Sequence, residues 1–524
     1  MRTTRVESLA GEGGPAATSE DDHDGAPGVD GQLVADPLVA DAGVSTAGPP
    51  ARRRWLAAFA AVNACGAWAG AVGLITGGTD FGDVINERLP FDSLALAGLA
   101  LAAVVAIPLT VLAWSAWTGG PRTDGLALVV GLLLIGWILG QVVVIRAFSP
   151  FQPAYLAVGA GFVAASHRVA LKGGRRGLLF VAVGAVLAAV GVGLLPHLVK
   201  NGVGLVAVVS IALVLAGLGL VVVGLGSGLR GKGRWGKVAG SAGAVVAVVV
   251  AVSIVAPAVA ATNVPATAIT STPATQGLAY ESVTLRTVDG IELAAWYVGG
   301  TNGAGVVMVH GAGSTRSSML DQAAALSRSG YAVLLIDARG HGDSDGTAMD
   351  FGWYGDRDIA AGTEFLASRD GVDAGRIGVV GFSMGGEEAI GAAATDPRIR
   401  AVVAEGATAR QAADKAWLSD AYGWRGWLQE QLEKAQYGIT DYLTDASPPV
   451  SLRSAVARAS DTHFLLITAG KVDDEAHAAS HIASGASERV VVWNVTGAGH
   501  TDGFATVPDD WQEHVVGFLD ERLG

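Results

Sequence analysis

Cysteine is all but missing from this sequence: a single one, Cys65, stands among 524 residues. That excludes an intrachain disulfide and any cysteine-built metal site. Lying inside an apolar run, Cys65 reads as a small buried hydrophobe. The first 50 residues lack Phe, Trp and Tyr and hold two Arg against nine acidic residues. So little apolar surface cannot offset chain entropy, and this stretch is expected to be a disordered acidic tail. It also lacks the apolar core of a signal peptide, because the first apolar run begins only after residue 54.

Ionisable side chains are nearly absent from the middle of the apolar runs in residues 55–260. Transporters and pumps place such groups in mid-membrane, where they are expensive, so this part reads as an anchor. Seven segments can be drawn, at about 55–77, 93–117, 125–147, 152–168, 178–198, 203–225 and 238–260. Most reach the roughly 20 apolar residues that a bilayer core demands; the fourth is short. Together, residues 51–260 are expected to form a transmembrane region of about seven helices. With the N-terminus inside, the inner links hold Arg52, Arg53, Arg54, Arg122, Arg168, Lys172, Arg175, Arg176, Arg230, Lys232, Arg234 and Lys237. The outer links hold only Arg88, Arg146 and Lys200. Lys and Arg accumulate on the cytoplasmic side, so this bias expects a multi-pass cell-membrane protein whose C-terminal domain lies outside the cytoplasm.

Residues 261–276 are small, Thr/Pro/Ala-rich and uncharged, which reads as an extended linker. From residue 277 the composition is that of an ordinary soluble domain. Residues 277–524 hold 18 Lys and Arg against 34 Asp and Glu, whereas residues 1–276 hold 17 against 14. An acidic domain argues against nucleic acid as a partner and against docking on anionic lipid. Short β-branched runs alternate with helical stretches at Ser282–Arg286, Ile291–Val298, Val306–Val309, Ala332–Ile336, Ile377–Val380, Ala401–Ala404, Phe464–Thr468 and Val490–Trp493. The spacing predicts an α/β domain with a mostly parallel eight-stranded sheet and helices on both faces. Residues 409–460 interrupt the alternation as a helical, aromatic-rich insertion at the place of a lid. Its aromatics either line an acyl pocket or pack the lid itself.

Three short motifs carry chemistry. Gly381-Phe382-Ser383-Met384-Gly385-Gly386 lies between a strand and a helix. There a G-x-S-x-G forms a turn so tight that the serine is strained and its neighbours two away must lack side chains. Ser383 is the expected nucleophile. His310-Gly311-Ala312-Gly313 follows the strand Val306–Val309, and a tight loop there turns a backbone N–H toward the same point. Ala312 and Met384 are the candidate oxyanion donors, with His310 bracing its loop. Gly497-Ala498-Gly499-His500 follows the last strand. A serine hydroxyl is a poor nucleophile until an imidazole accepts its proton, and His500 is the expected base.

The carboxylate that orients the base comes from Lys471-Val472-Asp473-Asp474-Glu475, after the strand Phe464–Thr468. Three acids in a row give one catalytic group and two helix-start residues. Spacing from Gly470 favours Asp473, with Asp474 close behind and Glu475 last; Glu405 is an outside candidate. No metal or organic cofactor is called for.

Together these motifs resemble the α/β-hydrolase superfamily over about residues 277–524. Asp337-Ala338-Arg339-Gly340-His341-Gly342-Asp343-Ser344 is similar to the loop after the fourth strand in many members. SVTLRTVDGIELAAWYV, from Ser282, is similar to the first hairpin of bacterial members related to dienelactone hydrolases and bile-acid acyltransferase-like enzymes. The cysteine nucleophile of true dienelactone hydrolases and the aspartate of dehalogenases are both replaced by Ser383. The resemblance implies a membrane-anchored serine hydrolase cleaving a small-molecule carboxylic ester or thioester through an acyl-enzyme. A peptidase or acyltransferase would use the same residues. A membrane receptor or transporter with a non-catalytic domain is the alternative of another class.

The sidedness has a direct test. Alkaline phosphatase, active only when exported, should be active when fused after Pro265 and silent when fused after Lys172. An inactive Pro265 fusion, with an active cytoplasmic reporter at the same point, would overturn the seven-segment reading.

Overall fold

A computed structural model of the chain describes residues 53–79, 89, 93–145, 151–166, 173–265, 267–346 and 349–524. The acidic tail and several charges of the loop bias (Arg52, Arg88, Arg146, Arg168 and Lys172) lie outside the described residues. Apolar helices follow: α1 (Arg54–Thr76), α2 (Leu94–Thr118), α3 (Thr123–Ile145), α4 (Phe151–Ala165), α5 (Gly173–Asn201), α6 (Leu205–Gly228) and α7 (Arg234–Ala261). Over the described residues each drawn segment overlaps one of these helices. Five of them, α1, α2, α5, α6 and α7, are long and apolar enough to cross a bilayer. Over the described residues α3 and α4 offer only the shorter stretches Thr123–Ile138 and Ala154–Ala165.

Small residues set the packing. A Cβ added to Gly217 on α6 would stand 2.5 Å from the carbonyl oxygen of Gly184 on α5, so only glycine permits the two backbones to approach. The buried-hydrophobe reading of Cys65 is corrected: its side chain lies exposed on α1, on a helix whose length suits the hydrocarbon of a bilayer.

The described residues between the helices and the domain include a 3-10 turn at Pro273–Gln276, and they do not hang free. Ser317 Oγ donates to Ser271 O at 2.7 Å and accepts from the N–H groups of Thr270 and Ser271 at 3.4 Å. Thr267 Oγ1 donates to Gly313 O at 3.2 Å.

Eight strands form one sheet: β1 (Glu281–Arg286), β2 (Glu292–Val298), β3 (Gly305–Val309), β4 (Ala332–Ile336), β5 (Ile377–Phe382), β6 (Ile399–Glu405), β7 (His463–Ala469) and β8 (Val490–Val495). Their order is β1-β2-β4-β3-β5-β6-β7-β8. β2 runs antiparallel to both β1 and β4, and every other pair is parallel. The hairpin turn is present, with Gly290 at a φ of 83°.

The connecting helices are α8 (Leu320–Arg328), α9 (Gly355–Ala367), α10 (Met384–Ala393), α11 (Leu418–Tyr422), α12 (Trp424–Leu443), α13 (Leu452–Arg458), α14 (Asp473–Ala483), α15 (Gly503–Thr506) and α16 (Pro508–Leu523). Alternate strand residues point to opposite faces, so the central strands read as continuous apolar runs covered on both sides. Val307, Leu334, Val379 and Leu466 pack with Leu366, Ile390, Val456 and Ile482 of α9, α10, α13 and α14. Met308, Leu335, Val403 and Leu465 pack with Leu326 of α8 and with Trp511 and Leu519 of α16.

The insertion between β6 and β7 contains α11, α12 and α13, and α12 leaves the domain surface. Its Ile439 and Leu443 join one apolar cluster with Leu194 of α5 and with Ala258 and Val259 of α7.

Neighbouring glycines of α6 separate packing from composition. Gly217→Leu should destabilise the full chain in detergent by about 1–3 kcal/mol, because the added side chain forces α5 away. Gly219→Leu, in open space, should leave the thermal transition near wild type. Equal effects of the two would remove the close-approach account.

Candidate active site

β5 ends at Phe382, and the chain turns at Ser383 with φ 52° and ψ −120° before α10 begins at Met384. A non-glycine residue in that region is strained by about 1–3 kcal/mol. Three hydrogen bonds hold it there: Ser383 N–H donates to Glu405 O at 2.7 Å, and Ser383 O accepts from Gly386 and Glu387 N–H. The flanking glycines are obligatory. A Cβ on Gly381 would lie 2.1 Å from Gly385 O, and one on Gly385 would lie 2.4 Å from Val309 O.

The loop after β8 brings His500 over this turn. His500 Nε2 lies 2.9 Å from Ser383 Oγ, and His500 Nδ1 lies 2.7 Å from Glu475 Oε1. A carboxylate only accepts, so Nδ1 carries the proton and Nε2 is left to accept from the serine hydroxyl. The Glu475 hydrogen bond raises the imidazole above its ordinary pKa, with burial acting against it. Gly406, at a φ of 72°, leaves room for the ring: a Cβ there would stand 2.9 Å from His500 Cε1.

Here the expectation for the carboxylate is corrected. Asp473 and Asp474 occupy the first turn of α14, and the residue on His500 is Glu475. Asp474 Oδ1 instead accepts from Tyr422 OH at 2.7 Å. Spacing from Gly470 assumed that the loop runs on past the helix start. In fact α14 begins at Asp473, and its inward face is Glu475, Ala478, Ala479 and Ile482, all buried. That i, i+3, i+4, i+7 set is visible in the sequence and was the signal to follow. Glu475 Oε2 also accepts from Ala469 N–H at 2.8 Å, which fixes the carboxylate to the end of β7. Glu405, the outside candidate, accepts from Gly503 N–H at 2.8 Å and Trp511 Nε1 at 3.0 Å and does not reach His500.

The loop after β3 lies against the serine: a Cβ on Gly311 would stand 3.2 Å from Ser383 Cβ. Ala312 follows it, and Met384 opens α10 on the other side of the turn. Among the described residues neither amide donates a hydrogen bond. His310 is wholly buried, its Nε2 accepting from Ala338 N–H at 3.1 Å and its Nδ1 donating to Gly311 O at 2.8 Å. Burial lowers its pKa to about 4, so it is a neutral brace.

Sequence reasoning missed the second brace, from the loop after β4. His341 Nε2 accepts from Gly313 N–H at 2.9 Å, and Asp337 accepts from Arg316 N–H at 2.7 Å and Arg316 Nη1 at 2.6 Å.

Of the insertion's aromatics, Trp417 and Tyr437 are buried and stack on His477 and Trp353. They pack the insertion. Trp424, Trp427 and Tyr442 are exposed. Among the described residues no cluster of three or more His, Cys, Asp or Glu side chains is arranged to hold a metal ion.

Residues 306–450 match the family model for the α/β hydrolase fold. A thiohydrolase of Aspergillus aculeatus is 34% identical over 128 residues, 24% of this chain and 40% of that protein. A polyketide transferase of Stachybotrys chlorohalonatus is 34% identical over 133 residues, 24% of this chain and 43% of that protein. The chain therefore spans less than half the length of these curated relatives. Among solved structures, an esterase of Pyrococcus furiosus is 24% identical and covers 50% of this chain and 98% of its own, with a TM-score of 0.42. The stretch that matches the model for the α/β hydrolase fold holds both the loop after β3 and the turn at Ser383.

Proposed function

We propose that the chain is a membrane-anchored serine hydrolase that cleaves carboxylic ester or thioester bonds through an acyl-enzyme. One observation carries the reading: the unbroken hydrogen-bonded series Ser383–His500–Glu475, built on a strained turn. His500 takes the proton of Ser383 as its oxygen attacks the carbonyl carbon, and Glu475 stabilises the imidazolium that forms. The amides of Ala312 and Met384, with the N-terminal end of α10, hold the developing oxyanion. The tetrahedral intermediate collapses as His500 returns the proton to the leaving alcohol or thiol. Water, deprotonated by the same imidazole, then releases the acid and restores the serine. A complete series of this kind speaks against a non-catalytic receptor domain.

Transfer of the acyl group to an alcohol or amine would use the same residues, and the polyketide transferase among the relatives favours it as a second reading. Product analysis with and without added acceptor separates the two. The anchored arrangement is supported by the five helices of spanning length.

Ser383→Ala should remove both fluorophosphonate labelling and turnover of activated esters, with losses of about 10⁴–10⁶ in rate. Residual turnover within about tenfold of wild type would sink the assignment. Glu475→Gln should lower kcat by on the order of 10⁴ by favouring the wrong tautomer, while Asp473→Asn and Asp474→Asn should stay near wild type. Catalysis needs neutral His500, so activity falls as pH drops through its raised pKa. Removing the Glu475 charge lowers that pKa, and the acid limb of the remaining activity should move to lower pH. A limb that stays in place would show that Glu475 does not act on His500.

A further inference from the structure

We propose that the active-site mouth opens onto the bilayer, and that the substrate is an ester or thioester whose acyl chain is dissolved there. The inference rests on the hydrolase reading above and adds the phase from which substrate is taken. Three ties join the helical region to the domain, and all lie at the carboxyl edge of the sheet. The loop after β3 is held by Lys200, in the last turn of α5, whose Nζ donates to Gly313 O and to Thr267 Oγ1 at 2.9 Å. The segment after β4 is held where Met349 N–H donates to Ala261 O, the end of α7, at 3.1 Å. The insertion after β6 is held through Ile439 and Leu443 of α12 against α5 and α7. This same edge carries Ser383, Glu475 and His500 after β5, β7 and β8. The catalytic loops therefore face the helices at the level where those helices leave the hydrocarbon.

The face of α12 tells what covers its free end. Trp424, Trp427 and Leu428 are 74%, 56% and 45% exposed. At 100° per residue, Leu428 lies about 20° and Trp424 about 60° from the stripe of Ile439. One half of that stripe is thus covered by membrane helices, and the other half carries exposed Leu428 and Trp424 beside Arg425, with Trp427 about 120° from Ile439. An apolar surface continuous with a contact on helices of spanning length meets lipid. Tryptophan is the residue that settles at the headgroup level. The acidic domain offers no electrostatic attraction to anionic lipid, so the contact is made by apolar burial.

On this reading an acyl chain held in the bilayer enters the site from the side of α12. The occupant of the bare face is accordingly the bilayer that holds the helices.

The test uses the full chain in nanodiscs of zwitterionic phosphatidylcholine. 4-Methylumbelliferyl oleate is dissolved in the discs, and 4-methylumbelliferyl acetate serves as the water-soluble ester. Wild type should hydrolyse both. W424S/W427S/L428S should lose roughly tenfold or more on the oleate, the order expected from removing apolar burial, and keep its acetate rate. W424F/W427F/L428I, which preserves an apolar surface, should recover the oleate rate.

Equal oleate rates for wild type and the serine variant would overturn the proposal, as would an isoleucine–phenylalanine variant as impaired as the serine one. Wild type that hydrolyses acetate but not oleate would overturn it with the hydrolase reading intact. Hydrolysis of neither ester would bring down the hydrolase reading, and the proposal with it.

Discussion

The backbone of Ser383 is the constraint on which the domain's chemistry depends. A residue held at φ 52° persists only where its surroundings over-determine it, and here they come from two strands and a helix. β6 supplies the Glu405 carbonyl that accepts the Ser383 N–H, β3 supplies the Val309 carbonyl against which only glycine fits at 385, and α10 closes the turn from the other side. The contributions of β6 and β3 lie outside the G-x-S-x-G motif. The motif marks the place, but the parallel pairing of β3, β5 and β6 produces the strain and fixes the hydroxyl at one point.

Support around the site is layered in the same manner. His310 and His341, ring centroids 5.0 Å apart, are both held neutral by burial, at about 4. Each uses one ring nitrogen as donor and the other as acceptor, so each reads two backbone groups at once. A charged imidazole in either place would lose its acceptor and release its loop. Glu387 plays a comparable part behind Ser383, accepting from Thr408 and Ala409 N–H and fastening the start of the insertion to α10. Buried polar groups of this kind specify a geometry because the cost of leaving any one unpaired is high.

Much of this was legible in the sequence, and the reasons differ by element. The eight strands could be read because buried parallel strands are short unbroken apolar runs between turn residues. The meeting of Ser383 with His500 could be read because such a turn needs glycines at fixed offsets and the histidine follows the last strand. Glu475 was misplaced because loop spacing is a weaker guide than helical phase, and the phase of α14 was present in Ala478, Ala479 and Ile482. Cys65 is exposed because an apolar side chain on a helix of spanning length can face outward as readily as toward its neighbours. The brace from Asp337, His341 and Arg316 depends on loops from different strands meeting in space, which no local pattern encodes.

The apolar cluster shared by α5, α7 and α12 bears on how the chain can be divided. Composition draws a sharp line near residue 261, yet residues 50–524 form one compact unit. Leu443 is a buried member of the helical region's core although it belongs, by sequence, to the insertion of the soluble domain. Cutting the chain at the compositional boundary would strip the covering from α12, release Gly313 from Lys200 and leave two fragments with complementary sticky faces. The boundary in amino-acid usage is thus not a boundary in packing, because the shared cluster runs across it.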